Sequence, residues 1–131
     1  MNKKLYLLFN HALTPEQIVN AEKSFGIKNR NIIKLPTNLI KLWQNIPPEI
    51  DLDISQYLIP LVTYFAQKSK GDYVLVQGDF GAVYYMVNIL KQMGLVPVYA
   101  TTERNIIEEK LSDNKMITKR VFKHVCFRRY I

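Results

Sequence analysis

Residues Tyr73–Met86 read YVLVQGDFGAVYYM. The run Tyr73–Gln77 is rich in β-branched and aromatic residues and predicts a strand, while Ala82–Met93 carries a helical pattern that ends at Gly94. Only Gly78-Asp79-Phe80-Gly81 separates them. A strand that passes so quickly into a helix is the unit from which parallel sheets with crossover helices are built. Two glycines at such a junction allow two readings. They permit positive φ and close approach of an anionic ligand to bare backbone beside a helix amino end, or they simply make a tight turn. Asp79 opposes a phosphate unless its carboxylate caps the helix, and it is equally suited to face a ribose hydroxyl.

The same alternation extends outward. Lys4–Phe9 is a compact apolar run suited to a buried strand. Thr14-Pro15-Glu16-Gln17 is a helix start with a cap, a proline in the first turn and a capping box. Ile18, Ala21 and Phe25 follow at helical spacing, and Gly26 closes the segment. Asn31–Leu35 predicts a second strand stopped by Pro36, and Thr37–Asn45 a short helix with Leu39, Ile40, Leu42 and Trp43 on its apolar side. A longer helix is predicted from Asp53, kinked at Pro60, with Asp51 and Asp53 capping its start. Val96–Ala100 predicts a fourth strand, with Thr101-Thr102-Glu103-Arg104 as a polar turn leaving its end. Asn105–Leu111 and Met116–Tyr130 then read as two extended segments around the polar turn Ser112–Lys115. Val121, Val125 and Phe127 share one parity and Phe122, Cys126 and Tyr130 the other, so the last segment needs a bulge or contacts on both faces. The expected fold is α/β: one domain over residues 1–131, a Rossmann-like parallel sheet with flanking helices and a C-terminal β-hairpin, in strand order 2-1-3-4.

Composition narrows the function classes. Hydrophobic residues form 48% and charged residues 22% of the 131-residue chain, a globular balance that argues against disorder. The single cysteine, Cys126, excludes an internal disulfide and a cysteine-based zinc site, and suggests a reducing, cytoplasmic setting. The opening MNKKLYLLF mimics a signal peptide, but its apolar run breaks at Asn10-His11. No stretch approaches the roughly 20 apolar residues of a membrane span. The net charge is +7, and Asn114–Ile131 holds Lys115, Lys119, Arg120, Lys123, Arg128 and Arg129 without one acid. Such a block suits a polyanionic partner, or equally a charged edge strand protected from aggregation.

Ligands of open parallel sheets bind beyond the carboxyl ends of the strands, where strand order reverses. In the order 2-1-3-4 that crevice sets Asn10 and His11 against Gly78–Gly81, with Thr101, Thr102 and Arg104 nearby. Arg104 could hold a phosphate as a bidentate donor, and Lys123 and His124 could add a cation and a titratable group. No metal-ligand spacing, GxSxG elbow or carboxylate pair is present. Tyr84, Tyr85 and Trp43 read as core or half-buried aromatics.

Four stretches carry a family likeness: LYLLFNHALTPEQ (Leu5–Gln17), GDYVLVQGDFGAVYYMVN (Gly71–Asn88), VPVYATTER (Val96–Arg104) and VFKHVCFRRY (Val121–Tyr130). Through them the chain resembles the small stand-alone ring nucleases of type III CRISPR systems, built on the CRISPR-associated Rossmann fold (CARF), of the Csx-twenty type. The resemblance implies a homodimer that encloses cyclic oligoadenylate, with cyclic tetra-adenylate as the first choice, and cuts it to linear products. It implies metal-independent attack by a ribose 2′-hydroxyl and no cofactor, and no membrane or duplex nucleic acid as partner. It assigns Asn10, Gln77, Gly78, Asp79, Phe80, Gly81, Thr101 and Thr102 to the ligand, and the reading of the tail adds His124. His11 becomes the acid/base or phosphate contact, and Arg104 or Lys123 the charge stabiliser. A non-catalytic sensor or sponge for the same ligand, and a basic RNA-binding adaptor, are the alternative classes.

Overall fold

The computed structural model describes residues 2–49, 53–111 and 114–131. Asp51, and Ser112 and Asp113 of the polar turn, lie outside the described residues. The strands are β1 (Leu5–Leu8), β2 (Ile32–Lys34), β3 (Tyr73–Val76), β4 (Val96–Lys110) and β5 (Met116–Arg129). The α-helices are α1 (Pro15–Phe25), α2 (Thr37–Gln44), α3 (Ile54–Tyr57), α4 (Ile59–Ala66) and α5 (Phe80–Gln92). One sheet contains all five strands in the order β2-β1-β3-β4-β5, parallel except for the antiparallel β4–β5 pair. The expected order and the Rossmann-like α/β class are what the chain adopts.

Alternation along the strands builds two cores. Leu5, Leu7 and Leu75 face one side and pack with Ala21 of α1, Ile27, Val98 and Phe127. Tyr6, Leu8, Val74 and Val76 face the other, under Leu39 and Trp43 of α2, Leu61 and Phe65 of α4, and Met86 and Leu90 of α5. Helices on both faces are what a buried parallel sheet requires. The start of α1 has the expected box: Gln17 N–H donates to Thr14 Oγ1 (3.2 Å) and Thr14 N–H to Gln17 Oε1 (2.9 Å). Gly26 ends the helix at φ 70°.

Two elements differ from their sequence reading. The helix expected from Asp53 is broken at Leu58 into α3 and α4, because Pro60 cannot donate to a preceding turn but fits the first turn of a new helix. Asp53 caps α3 through Ser55 N–H (3.0 Å). The turn expected at Thr101–Arg104 does not exist: β4 runs unbroken through it, and beyond Ala100 β4 and β5 leave the sheet as a two-stranded ribbon. Cross-strand hydrogen bonds to β5 hold these polar residues extended, which single-strand pattern reading cannot register.

Ala100 faces Phe127 and Thr102 faces His124, so Thr101 stands opposite both Val125 and Cys126. This β-bulge resolves the broken alternation of the tail. It brings His124 and Phe127 onto the same face, 4.9 Å apart between ring centres, against α1.

Candidate functional site: the crevice between the first and third strands

β1 ends at Leu8 and β3 at Val76, side by side and parallel, with β2 on one flank and β4 on the other. Above them Phe9, Asn10, His11, Gln77 and Gly78 line a hollow of about 230 Å³. A neighbouring hollow of about 190 Å³ shares Phe9, Asn10 and His11 and is completed by Lys34, Ile40 and Gln44, among others. His11 is exposed between the two, its ring held edge-on to Phe9 at 5.4 Å. Lys34 is the cation that the sequence reading missed. It is the last residue of β2, and the rule that pointed to the ends of the first and third strands would have found it there.

The glycine junction does not use the positive φ that its glycines permit. Positive φ among the described residues is confined to Gly26, Gly71, Gly94 and Asn114, so neither Gly78 nor Gly81 uses that freedom. A Cβ at Gly78 would lie 2.8 Å from Trp43 Nε1 and 3.0 Å from Cε2. The indole donates from Nε1 to the Gln77 carbonyl at 3.0 Å and is only 3% exposed. Gly78 is therefore the space into which Trp43 packs. Gly81 lies in the first turn of α5, where a Cβ would meet only Asp79 Oδ2 at an ordinary 3.6 Å. Asp79 caps α5, its Oδ2 accepting from Ala82 N–H at 3.0 Å. The N–H groups of the first turn nonetheless keep the positive end of the helix beside the crevice. Phe80, the first residue of α5, is 94% exposed.

Gln77 ties the crevice to the ribbon. Its Oε1 accepts from Ala100 N–H at 2.9 Å, on the edge of β4 that β3 has just left. The other expected site residues are not gathered here. Thr101 clasps the bulge: its Oγ1 accepts from Cys126 N–H (3.1 Å) and donates to the Cys126 carbonyl (3.0 Å). Thr102 and His124 line a separate hollow of about 420 Å³ with Thr14, Pro15, Glu16, Gln17 and Phe122. His124 Nε2 lies 3.0 Å from Asn20 Oδ1, and its buried Nδ1 has no hydrogen-bond partner among the described residues. Burial pushes the His124 pKa below its usual value, against a weaker opposing pull from the Glu16 carboxylate. Arg104 lies over the Phe122 ring at 5.5 Å, and Lys123 stands opposite Glu103, both along the ribbon. Of the twelve candidate site residues, the crevice gathers Asn10, His11, Gln77 and Gly78, with the α5 amino end alongside.

The basic tail is also less bare than its sequence suggests. Pairing with β4 sets Glu103 opposite Lys123 and Glu108 near Arg120, and Glu109 bonds Lys119 at 3.2 Å. Among the described residues no group of three or more His, Cys, Asp or Glu is placed to hold a metal ion, and no helix is long and apolar enough to cross a membrane.

Residues 3–128 match the Uncharacterized protein MJ1673 family. The chain belongs to that family. It is 48% identical over 128 residues to Uncharacterized protein MJ1673 of Methanocaldococcus jannaschii, covering 97% of this chain and 96% of that one. The family match therefore spans the crevice, the bulge and the ribbon alike. No solved structure matches the chain significantly.

Proposed function

We propose that the protein binds cyclic oligoadenylate at the crevice between β1 and β3 and cleaves it to linear products. The observation that carries this reading is the meeting of Asn10, His11, Gln77 and Gly78 beside the amino end of α5, where the strand order reverses. The likeness to CARF ring nucleases supplies the ligand class. The size of the hollow supports a shared ligand. About 230 Å³ accepts one sugar–phosphate unit, below the roughly 300–1,000 Å³ of a pocket that engulfs a drug-sized ligand. A ring of several nucleotides then requires two such hollows from two chains.

In this reaction a ribose 2′-hydroxyl attacks the adjacent phosphorus in line, and the 5′-oxygen of the next nucleotide leaves. Each cut of the ring gives one linear chain, with a 2′,3′-cyclic phosphate at one end and a 5′-hydroxyl at the other. His11 takes the hydroxyl proton or supplies one to the leaving oxygen. The first-turn N–H groups of α5 and the Lys34 ammonium offset charge on the phosphate oxygens. Alignment alone can lower such a barrier by as much as about 7–11 kcal/mol, and one oriented donor by about 3 kcal/mol. Arg104 and Lys123 keep the stabilising role only if a second chain's ribbon brings them to the crevice. A sensor or sponge would share the pocket and yield no product. RNA binding through the tail loses support from the glutamates that face the tail's cations.

The test is incubation of purified protein with cyclic tetra-adenylate in EDTA, followed by chromatography. Linear di-adenylate ending in a cyclic phosphate is the expected product. Tight binding of an intact ring would make the protein a sponge, and absence of binding would refute the pocket reading. His11→Ala should slow cleavage by about 100-fold or more, the range of acid–base catalysis, while changing affinity little.

A further inference from the structure

We infer that the outer edge of β4 is a pairing surface for a second copy of this chain, joined antiparallel about Ile106. It goes beyond the pocket reading and stands without it.

The direction of the backbone groups comes first. Tyr130 N–H donates to the Pro97 carbonyl, and Leu111 N–H to the Lys115 carbonyl, so the odd-numbered residues of β4 turn their backbone toward β5. Ala100 N–H points the other way, to Gln77. Thr102, Arg104, Ile106, Glu108 and Lys110 therefore present N–H and C=O on the edge away from β5. β3 pairs with β4 only from Val96 to Val98, so it leaves that edge open. β4 has no bulge and, beyond Pro97, no proline, two of the usual protections of an edge strand, and its charges are of both signs.

The side chains make the edge self-complementary. Antiparallel pairing about Ile106 sets Ile106 beside the partner's Ile106 on the two-fold axis, and Arg104 beside the partner's Glu108 twice by symmetry. About ten backbone hydrogen bonds would form in a continuous four-stranded sheet. Ile106 is 67% exposed and the adjacent Phe122 58%, with Met116, Ile107 and Val121 also exposed. An isolated two-stranded ribbon is marginal in water, whereas four strands with shared apolar faces are not. The outer edge of β5 is the poorer surface: it is bulged at Val125–Cys126, and Lys119, Arg120 and Lys123 would repel their copies. Pairing Thr102 with the partner's Lys110 also brings the end of each β4 toward the strand end from which the other chain's crevice opens.

The measurement is mass in solution by light scattering, with no nucleotide present. Wild type should run at twice the 15.3 kDa chain mass. Arg104→Glu and Glu108→Arg should each weaken self-association at least about tenfold, because each places like charges at both contacts. An equimolar mixture of the two variants should recover a dimer, since every contact is then complementary. Circular dichroism checks that both variants keep the sheet. A wild type that stays monomeric at its solubility limit overturns the proposal. So does a dimer indifferent to both reversals, or a mixture that fails to pair. Because mass is read without ligand, failure here is separable from failure to bind or cleave cyclic oligoadenylate.

Discussion

Replacing Gly78 by alanine tests whether the glycine junction serves the core or a ligand. The added methyl would lie 2.8 Å from Trp43 Nε1, 3.0 Å from Cε2 and 3.1 Å from Cζ2. The ring is rigid, buried in the larger core and tethered by its hydrogen bond to Gln77, so it cannot swing aside as the end of a lysine would. Overpacking of this kind costs about 1–3 kcal/mol, and loss of the indole hydrogen bond adds roughly 1 kcal/mol. A total near 3 kcal/mol would move a urea midpoint down by about 1–2 M, at a slope of about 2 kcal/mol/M. Trp43 is the only tryptophan, so its fluorescence reports both the local shift and global unfolding. Trp43→Phe removes the crowding atoms, and Gly78→Ala in that background, followed by circular dichroism since no tryptophan remains, should cost less than about 1 kcal/mol. An unchanged midpoint for Gly78→Ala, coupled with lost cyclic oligoadenylate binding, would refute the packing argument and restore the ligand reading of this glycine.

Three further changes probe the elements around the site. Asp79→Ala should destabilise the protein by about 1 kcal/mol in urea titration through loss of the α5 cap, and Asp79→Ser should recover most of that. Thr101→Val should cost about 1–3 kcal/mol, because it leaves the Cys126 N–H and carbonyl in the bulge without their shared partner. The folded-state pKa of His124 lies below its unfolded value, so the unfolded chain takes up the proton first as pH falls. The contribution of His124 is thus fully present above the unfolded value of about 6.5 and is lost as pH drops through the folded value. Unfolding midpoints measured from pH 8 down to 5 should show this decline, and His124→Gln should flatten it.

The local elements were legible wherever short-range physics sets them. The capping box at Thr14–Gln17, the αL glycine at Gly26 and the compact apolar strands act within a few residues, so their signal survives in one dimension. Strand order followed from the same alternation, because short crossovers leave few alternatives, and it set Asn10 and His11 against Gly78, with Gln77 joining them in the structure. The sequence also carried the mark of the bulge, as a broken parity in the last strand, without its position.

Tertiary structure alone decided what the polar residues do. Gly78 was read for its own backbone freedom, yet its reason is an indole thirty-five positions earlier in the chain. Thr101, expected beside the ligand, clasps the bulge, and Thr102 and His124 line a hollow beside α1, apart from the crevice. The basic tail suited a polyanion or a charged edge strand alike, and only the pairing of β4 set Glu103 and Glu109 against its lysines. In each case the deciding partner lies far along the chain. Periodicity and capping report what a segment prefers, whereas the partner of a hydroxyl, a charge or a missing Cβ is set only when distant strands pair.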